Sequence, residues 1–342
     1  MLLTGAIVAA AAGLVGFAVT FAVMRSAHRI GVIAEVNERS SHSRPTPSGG
    51  GVGVVGGGTI GAALAAWATP WPTIPVALLA IAIAVLGFLD DRRGLPVAVR
   101  LPLQLILTGA MVALLPLDAL SAAIGLPLPA PVTGALALVA AVYWINIFNF
   151  MDGIDGIAGT EAAFVLAAAA GLAISHGASA DTPLLWWLVA IAVATLAFLL
   201  LNWPPARIFM GDAGSTYLGF MIAFAAFMTI ALGWLTIWQW LLLVALFTCD
   251  ATLTLLRRFL RREPIFKAHR LHAYQHLSRR WGNHLPVTRL LLAVNVVILM
   301  PLAWAAGTYP SLAPLIAVTT YAVLSAVLIF AGAGAPEKAT AA

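Results

Sequence analysis

The chain has 342 residues, 62% of them hydrophobic and 9% charged, with a formal net charge of +5. Soluble domains carry roughly a quarter charged residues, so a water-soluble core with a single anchor is excluded. The lone cysteine, Cys249, lies within an apolar run, which rules out disulfides and thiolate metal sites.

Apolar runs of roughly 18 or more residues recur along the whole length. The expectation is therefore an all-α polytopic membrane protein of about eleven transmembrane helices. The spans are read at 2–24, 50–69, 74–89, 101–117, 132–148, 157–174, 183–201, 214–232, 234–256, 287–306 and 311–330. The first run has no basic n-region and is too long for a signal peptide, so it is read as a retained span. With this assignment all 18 Lys and Arg fall on one face of the membrane. By the positive-inside rule that face is cytoplasmic, the N-terminus is outside and the C-terminus is cytoplasmic. Residues 1–342 then form a single integral-membrane domain, with 257–289 as a cytoplasmic His/Arg-rich loop. Cations distributed in this way point to a membrane surface and to no nucleic acid.

In chain order, the first polar loop runs from Glu35 through His42 and Arg44 to the proline- and glycine-rich entry of the second span. Gly51, Gly53 and Gly56 match G-x-G-x-x-G by letter, but no soluble strand precedes them. Close helix packing in lipid is the reading preferred to a dinucleotide site. The third span ends in Asp90-Asp91-Arg92-Arg93. In isolation, such acids would cap a helix or pair with the neighbouring arginines.

The fifth span leads into Asn146-Ile-Phe-Asn149-Phe-Met-Asp152-Gly-Ile-Asp155-Gly. Residues at i, i+3, i+6 and i+9 drift slowly around a helix, so both amides and both acids are expected on one face. Carboxylates at a membrane boundary are costly and mark function. Glu161, one turn into the sixth span, is a candidate inward-facing partner for these polar groups.

After the seventh span comes Arg207-Ile-Phe209-Met-Gly-Asp212-Ala-Gly-Ser215. A lone acid followed by a small-residue turn and a new helix suits an anion or metal site; the bland alternative is that Asp212 is an N-cap. Asp250, late in the ninth span, is expected to have Arg257 as its intrahelical neighbour. The loop beyond holds His269, Arg270, His272 and His276. His272 and His276 at i, i+4 have zinc-ligand spacing. The flanking basic residues favour phosphate over a cation, or a basic segment lying on anionic lipid.

The strongly polar stretches thus gather on one side, and the opposite loops offer only Asp118, Asp181 and His176 as ionisable groups. Carboxylates from three loops can hold a hard cation, and arginines and histidines can bind phosphate oxygens. This arrangement implies phosphoryl chemistry at the interface between a lipid-borne and a soluble substrate.

The ordered set Pro-Thr-Pro-Ser-Gly-Gly, Gly-Phe-Leu-Asp90-Asp91, Asn146-x-x-Asn149-x-x-Asp152-Gly-x-Asp155-Gly, Phe209-Met-Gly-Asp212-x-Gly-Ser and a late histidine loop resembles the polyprenyl-phosphate N-acetylhexosamine-1-phosphate transferases of glycosyltransferase family 4. The resemblance covers essentially the whole chain. It implies transfer of N-acetylhexosamine 1-phosphate from a UDP-N-acetylhexosamine to undecaprenyl phosphate, with release of UMP and a requirement for Mg²⁺. It implies Asp212, with Asp91, as magnesium ligands, and Asp90, Asp91, His272 and His276 as catalytic groups. Arg44, Asn149, Asp152, Asp155, Phe209, His269 and Arg270 would bind substrate, Phe209 by stacking on uracil. The resemblance leaves room for a homodimer.

Relatives often carry a compact His-x-His-His in the late loop, whereas here the histidines are spread. That spacing is similar to the subgroup that initiates O-antigen or other surface glycans, and less so to the phospho-MurNAc-pentapeptide branch. A transporter of lipid-linked sugars, the reading from another class, would place ionisable groups near mid-bilayer and on both sides.

Overall fold

The structure, a computed structural model, describes residues 2–34, 44–264 and 269–336; Glu35 to His42 of the first loop, and Lys267, lie outside these. Lipid offers no partner for backbone polar groups, so segments facing it satisfy those groups internally as helices. The chain opens with α1 (Leu2–Ile30), followed by two short strands, β1 (Ile33–Ala34) and β2 (Thr46–Pro47). These pair antiparallel, Ile33 with Pro47 and Ala34 with Thr46. Then come α2 (Gly51–Ala68), α3 (Pro70–Arg93), α4 (Val97–Val112), α5 (Leu117–Ala123) and α6 (Ala130–Phe150). The central part holds α7 (Ile157–Ser175), α8 (Pro183–Asn202) and α9 (Gly211–Ala231). The last part holds α10 (Ile237–Leu243), α11 (Ala245–Leu260), α12 (Ala273–Trp281), α13 (His284–Val294), α14 (Met300–Thr308) and α15 (Ala313–Ala331).

Among the described residues nine segments are long and apolar enough to cross a membrane, and two bent pairs raise the count to eleven. The fourth and ninth expected spans are these pairs and are not straight: α4 and α5 meet at 85°, α10 and α11 at 73°. Pro116 precedes α5 and accounts for the first bend. The second falls at Val244, with no proline or glycine beside it. Hydropathy alone registers apolar length and cannot register such turns. A π-helical turn, Asn295–Leu299, joins α13 to α14 just before Pro301, whose missing N–H and ring demand a local adjustment of the helix.

α7 and α9 are 83% buried along their apolar windows and form the centre, whereas α1 and α15, at 22% and 17%, face outward. The seam between α2 and α9 is built on glycine. A Cβ on Gly51 would collide with Gly214, and one on Gly53 with Thr20 and the Gly16 carbonyl of α1. The glycine-rich entry to the second span is therefore a packing device.

Candidate active site

One end of the bundle carries the polar groups, and the backbone brings them there. The segment after β2 is zipped to the approach to α9: Phe209 N–H donates to the Pro47 carbonyl (2.8 Å), Gly50 N–H to Phe209 O (2.8 Å) and Gly51 N–H to Met210 O (2.9 Å). Phe209 is half-buried in this junction, and Arg44 is exposed three residues before Pro47.

Asp212 does not cap α9. That role falls to Asp91 at the end of α3, whose Oδ1 accepts from Asp212 N–H (2.8 Å) and Oδ2 from Ala213 N–H (3.3 Å). A carboxylate suits the exposed amides and positive dipole end of a helix N-terminus. The close approach depends on two glycines. Gly211 sits at φ 74°, where any other residue would be strained and its Cβ would press on Asp91 Oδ2. Gly87, one turn before Asp91 on α3, lies against the Asp212 carbonyl with no space for a side chain.

Asp90 pairs with neither Arg92 nor Arg93. Its Oδ2 accepts from Arg100 Nη1 at 2.6 Å, and its Oδ1 from Leu95 N–H at 2.7 Å. The same Arg100 nitrogen lies 3.6 Å from Asp212 Oδ2, so one guanidinium serves acids from two helices. Asn149, near the end of α6, donates to Asp212 Oδ1 and to Ser215 Oγ, both at 2.8 Å.

The expected single face of Asn146, Asn149, Asp152 and Asp155 does not form, because α6 ends at Phe150. Asn146 turns instead to Gln104 Oε1 (3.0 Å). Asp152 and Asp155 lie in the turn before α7. Burial, then the negative charges of Asp91 and Asp155, push the Asp152 carboxyl up to about 7. Asp155 Oδ2 accepts from Ala206 N–H (2.9 Å), its carbonyl accepts from Thr288 Oγ1 (2.9 Å), and its Oδ1 lies 3.2 Å from His284 Nδ1.

The histidines diverge. His272 is buried at the head of α12, stacked between His269 (4.9 Å) and Tyr274 (5.6 Å). Burial, the His272 ring and Arg258 pull His269 down to about 3. His276 Nε2 lies 3.2 Å from the Ala335 carbonyl, where the C-terminal segment packs. His272 precedes the helix with its Nδ1 3.5 Å from Asp250 Oδ1, while both His276 ring nitrogens meet other partners, Ala335 and Arg279, so the i, i+4 spacing builds no zinc pair here. Asp250 is not a partner of Arg257: its oxygens accept from Ala273 N–H (2.9 Å) and Tyr274 N–H (3.2 Å), so α11 caps α12. Tyr274 OH donates to the Phe150 carbonyl (3.1 Å), which joins this loop to the Asp152 turn. Glu161 is fully buried and accepts from Asn295 Nδ2 at 2.6 Å.

Sequence reasoning gave Arg100, Ser215 and His284 no role. Ser215 was legible in its motif, but Arg100 and His284 lie 10 and 129 residues from Asp90 and Asp155, which they meet. Toward the opposite end, α6, α9 and the bent α10–α11 pair line an apolar cavity of about 320 Å³, which runs from Leu120, Leu128, Thr133 and Ile230 as far as Ile147 on α6.

Residues 73–230, which carry the Asp91, Asn149, Asp152 and Asp212 motifs, match the model for glycosyl transferase family 4. A Bacillus subtilis protein named probable undecaprenyl-phosphate N-acetylglucosaminyl 1-phosphate transferase is 30% identical over 273 residues, 76% of this chain and 73% of that protein. The chain belongs to glycosyl transferase family 4. Other members it resembles carry different names. A Mycobacterium tuberculosis decaprenyl-phosphate N-acetylglucosaminephosphotransferase is 30% identical over 65% of this chain and 59% of its own length. A Moorella thermoacetica phospho-N-acetylmuramoyl-pentapeptide-transferase is 34% identical over 54% and 61%. Both matches span less than two thirds of the relative's length, and overall identity does not separate the family's branches.

Among the described residues no three His, Cys, Asp or Glu side chains form a ready-made metal cage. The candidate ligands around Asp91 and Asp212 are nevertheless oxygens, three carboxylates and the Ser215 hydroxyl, with the Asn149 amide nitrogen donating to Asp212 and Ser215 beside them. That chemistry fits a hard divalent cation such as Mg²⁺.

Proposed function

We propose that this family 4 member transfers N-acetylhexosamine 1-phosphate from a UDP-sugar to undecaprenyl phosphate at the cytoplasmic face of the bacterial inner membrane, releasing UMP. Its product would start assembly of O-antigen or another surface glycan. The observation that carries the reading is the meeting of Asp90, Asp91, Asn149 and Asp212 at the start of α9, from three helices distant in sequence, with Arg100 reaching Asp90 and Asp212.

The lipid phosphate, with a second pKa near about 6, is mostly a dianion at neutral pH and needs little help from a base. One of its oxygens attacks the sugar-bearing phosphorus. A new P–O–P bond forms as the bond to UMP breaks, and UMP leaves with the electron pair. The obstacle is the approach of two anions. Arg100 supplies positive charge at the acids, and Asp91 and Asp212 would hold Mg²⁺, which neutralises charge on the pyrophosphate when bound. Asp90 and Asp91 act by holding charge and direction, since their oxygens already accept from Arg100 and from backbone amides. Phe209, Arg44, Asp152 and Asp155 bind the nucleotide and sugar phosphate. Arg270 extends the basic side, and His269 adds a neutral ring beside it. The apolar cavity beside α6 offers room for the polyprenyl chain.

The test is UMP release by purified protein given undecaprenyl phosphate and a panel of UDP-sugars, with Mg²⁺ or with EDTA. Release from one UDP-N-acetylhexosamine, abolished by EDTA, is the expected result. Likeness to the Moorella protein keeps the phospho-MurNAc-pentapeptide branch as a second reading. UDP-MurNAc-pentapeptide in the same panel distinguishes the two.

A further inference from the structure

His284 lies outside the histidine cluster of the preceding loop and meets the candidate site from another helix. It is the first residue of α13, behind Asn283, whose Oδ1 caps the helix by accepting from Leu285 N–H at 2.9 Å. The two partners are nearly buried: 13% of the His284 side chain and 12% of the Asp155 side chain are exposed. A single ring nitrogen faces the acid twice. His284 Nδ1 is 3.2 Å from Asp155 Oδ1 and 3.3 Å from the Asp155 amide nitrogen.

Nδ1 can serve one of these contacts at a time. With a proton it donates to the carboxylate, and without one it accepts from the Asp155 N–H. Either state holds the residue. One turn further along the same face of α13, Thr288 Oγ1 donates to the Asp155 carbonyl (2.9 Å). On the opposite side Ala206 N–H, three residues before Phe209, holds Oδ2 (2.9 Å). Asp155 is thus gripped between α13 and the segment leading to Phe209. The contact directed at its remaining oxygen comes from His284.

We propose that His284 is a positioning residue for the donor side of the site: it acts through Asp155, fixing the direction in which that carboxylate meets the UDP-sugar. It touches no reacting atom. The inference rests on the transferase reading above and adds to it a residue from outside the family motifs.

The ring suggests its own controls, because an Asn amide can occupy the place of Nδ1 whereas a Gln amide reaches toward that of Nε2. Initial rates for wild type, His284→Asn and His284→Gln would be measured against varied UDP-sugar and, separately, varied undecaprenyl phosphate. The expected result is a donor KM raised about tenfold in His284→Gln and within about threefold of wild type in His284→Asn, with acceptor KM unchanged in both. Equal behaviour of the two variants, or parallel changes in donor and acceptor KM, would overturn the proposal alone. A folded wild type that releases UMP from no UDP-sugar would overturn the transferase reading and this inference with it.

Discussion

On the proposed transferase reading Asp91 is central, and its two hydrogen bonds to α9 define what replacing it would do. Asp91→Asn keeps an oxygen for one amide but loses the charge that would meet the cation. A loss of kcat/KM on the order of 10²-fold or more is expected. If the acceptor is the proposed lipid phosphate, which needs little help from a base, raising the pH should not restore it. Rates measured to alkaline pH would check this, and recovery there would make Asp91 a proton acceptor after all. Asp152 supplies a pH signature. Its ordinary pKa of 3.8 rises to about 7 in the fold, so the folded state holds a proton that the unfolded chain releases. The stability from that proton is full below about 4 and is lost as pH rises through 7. Without divalent cation, the melting temperature of wild type should therefore fall relative to Asp152→Asn between pH 5 and 8. Arg100 is the one cation between Asp90 and Asp212 among the contacts described. Arg100→Ala strands partly buried charge, at a cost of about 3 kcal/mol, and should depress both activity and melting temperature.

At the level of elements, the histidine loop is fastened more to its neighbours than to itself. Asp250 caps α12 from α11, and the C-terminal segment locks the other side. Arg257 donates to the Ala333 carbonyl, Arg261 to that of Gly334, and Gly334 N–H to that of Leu271. Truncation after Ala331 removes these bonds and the Ala335 carbonyl that His276 Nε2 meets. With each bond worth about 1 kcal/mol, amides of α12 should exchange at least about tenfold faster in the truncated chain. Hydrogen–deuterium exchange reads this directly, and unchanged protection would mean that α12 stands without the tail. The same contacts explain why the i, i+4 spacing of His272 and His276 was a poor guide. The periodicity of a helix applies only within it, and α12 starts after His272. Asn146 and Asp155 teach the same lesson, since α6 stops between them.

Across the whole molecule, the site exists because α2, α3 and α9 approach one another closely enough for Asp91 to reach the amides of α9. Gly51, Gly87, Gly211 and Gly214 make room for that approach. Gly87→Val would push α3 from α9 at the Asp212 carbonyl, an overpacking that costs about 1–3 kcal/mol. It should lower the melting temperature and abolish UMP release together, whereas Asp91→Asn should chiefly affect turnover. Measuring both quantities on both variants separates the frame from the chemistry. Helical character, the number of apolar segments and the gathering of acids, amides and cations toward one end were all readable from the linear chain. Apolar length and charge asymmetry are set by solvation, which acts on each segment locally. The bends at Pro116 and Val244, the capping of α9 by Asp91 and of α12 by Asp250, and the meetings of Arg100 with Asp212, Glu161 with Asn295 and His284 with Asp155 were not readable. Apart from the two bends, which are breaks within apolar runs, each is a contact between different helices, fixed by how their surfaces pack, and no spacing along a single segment encodes it.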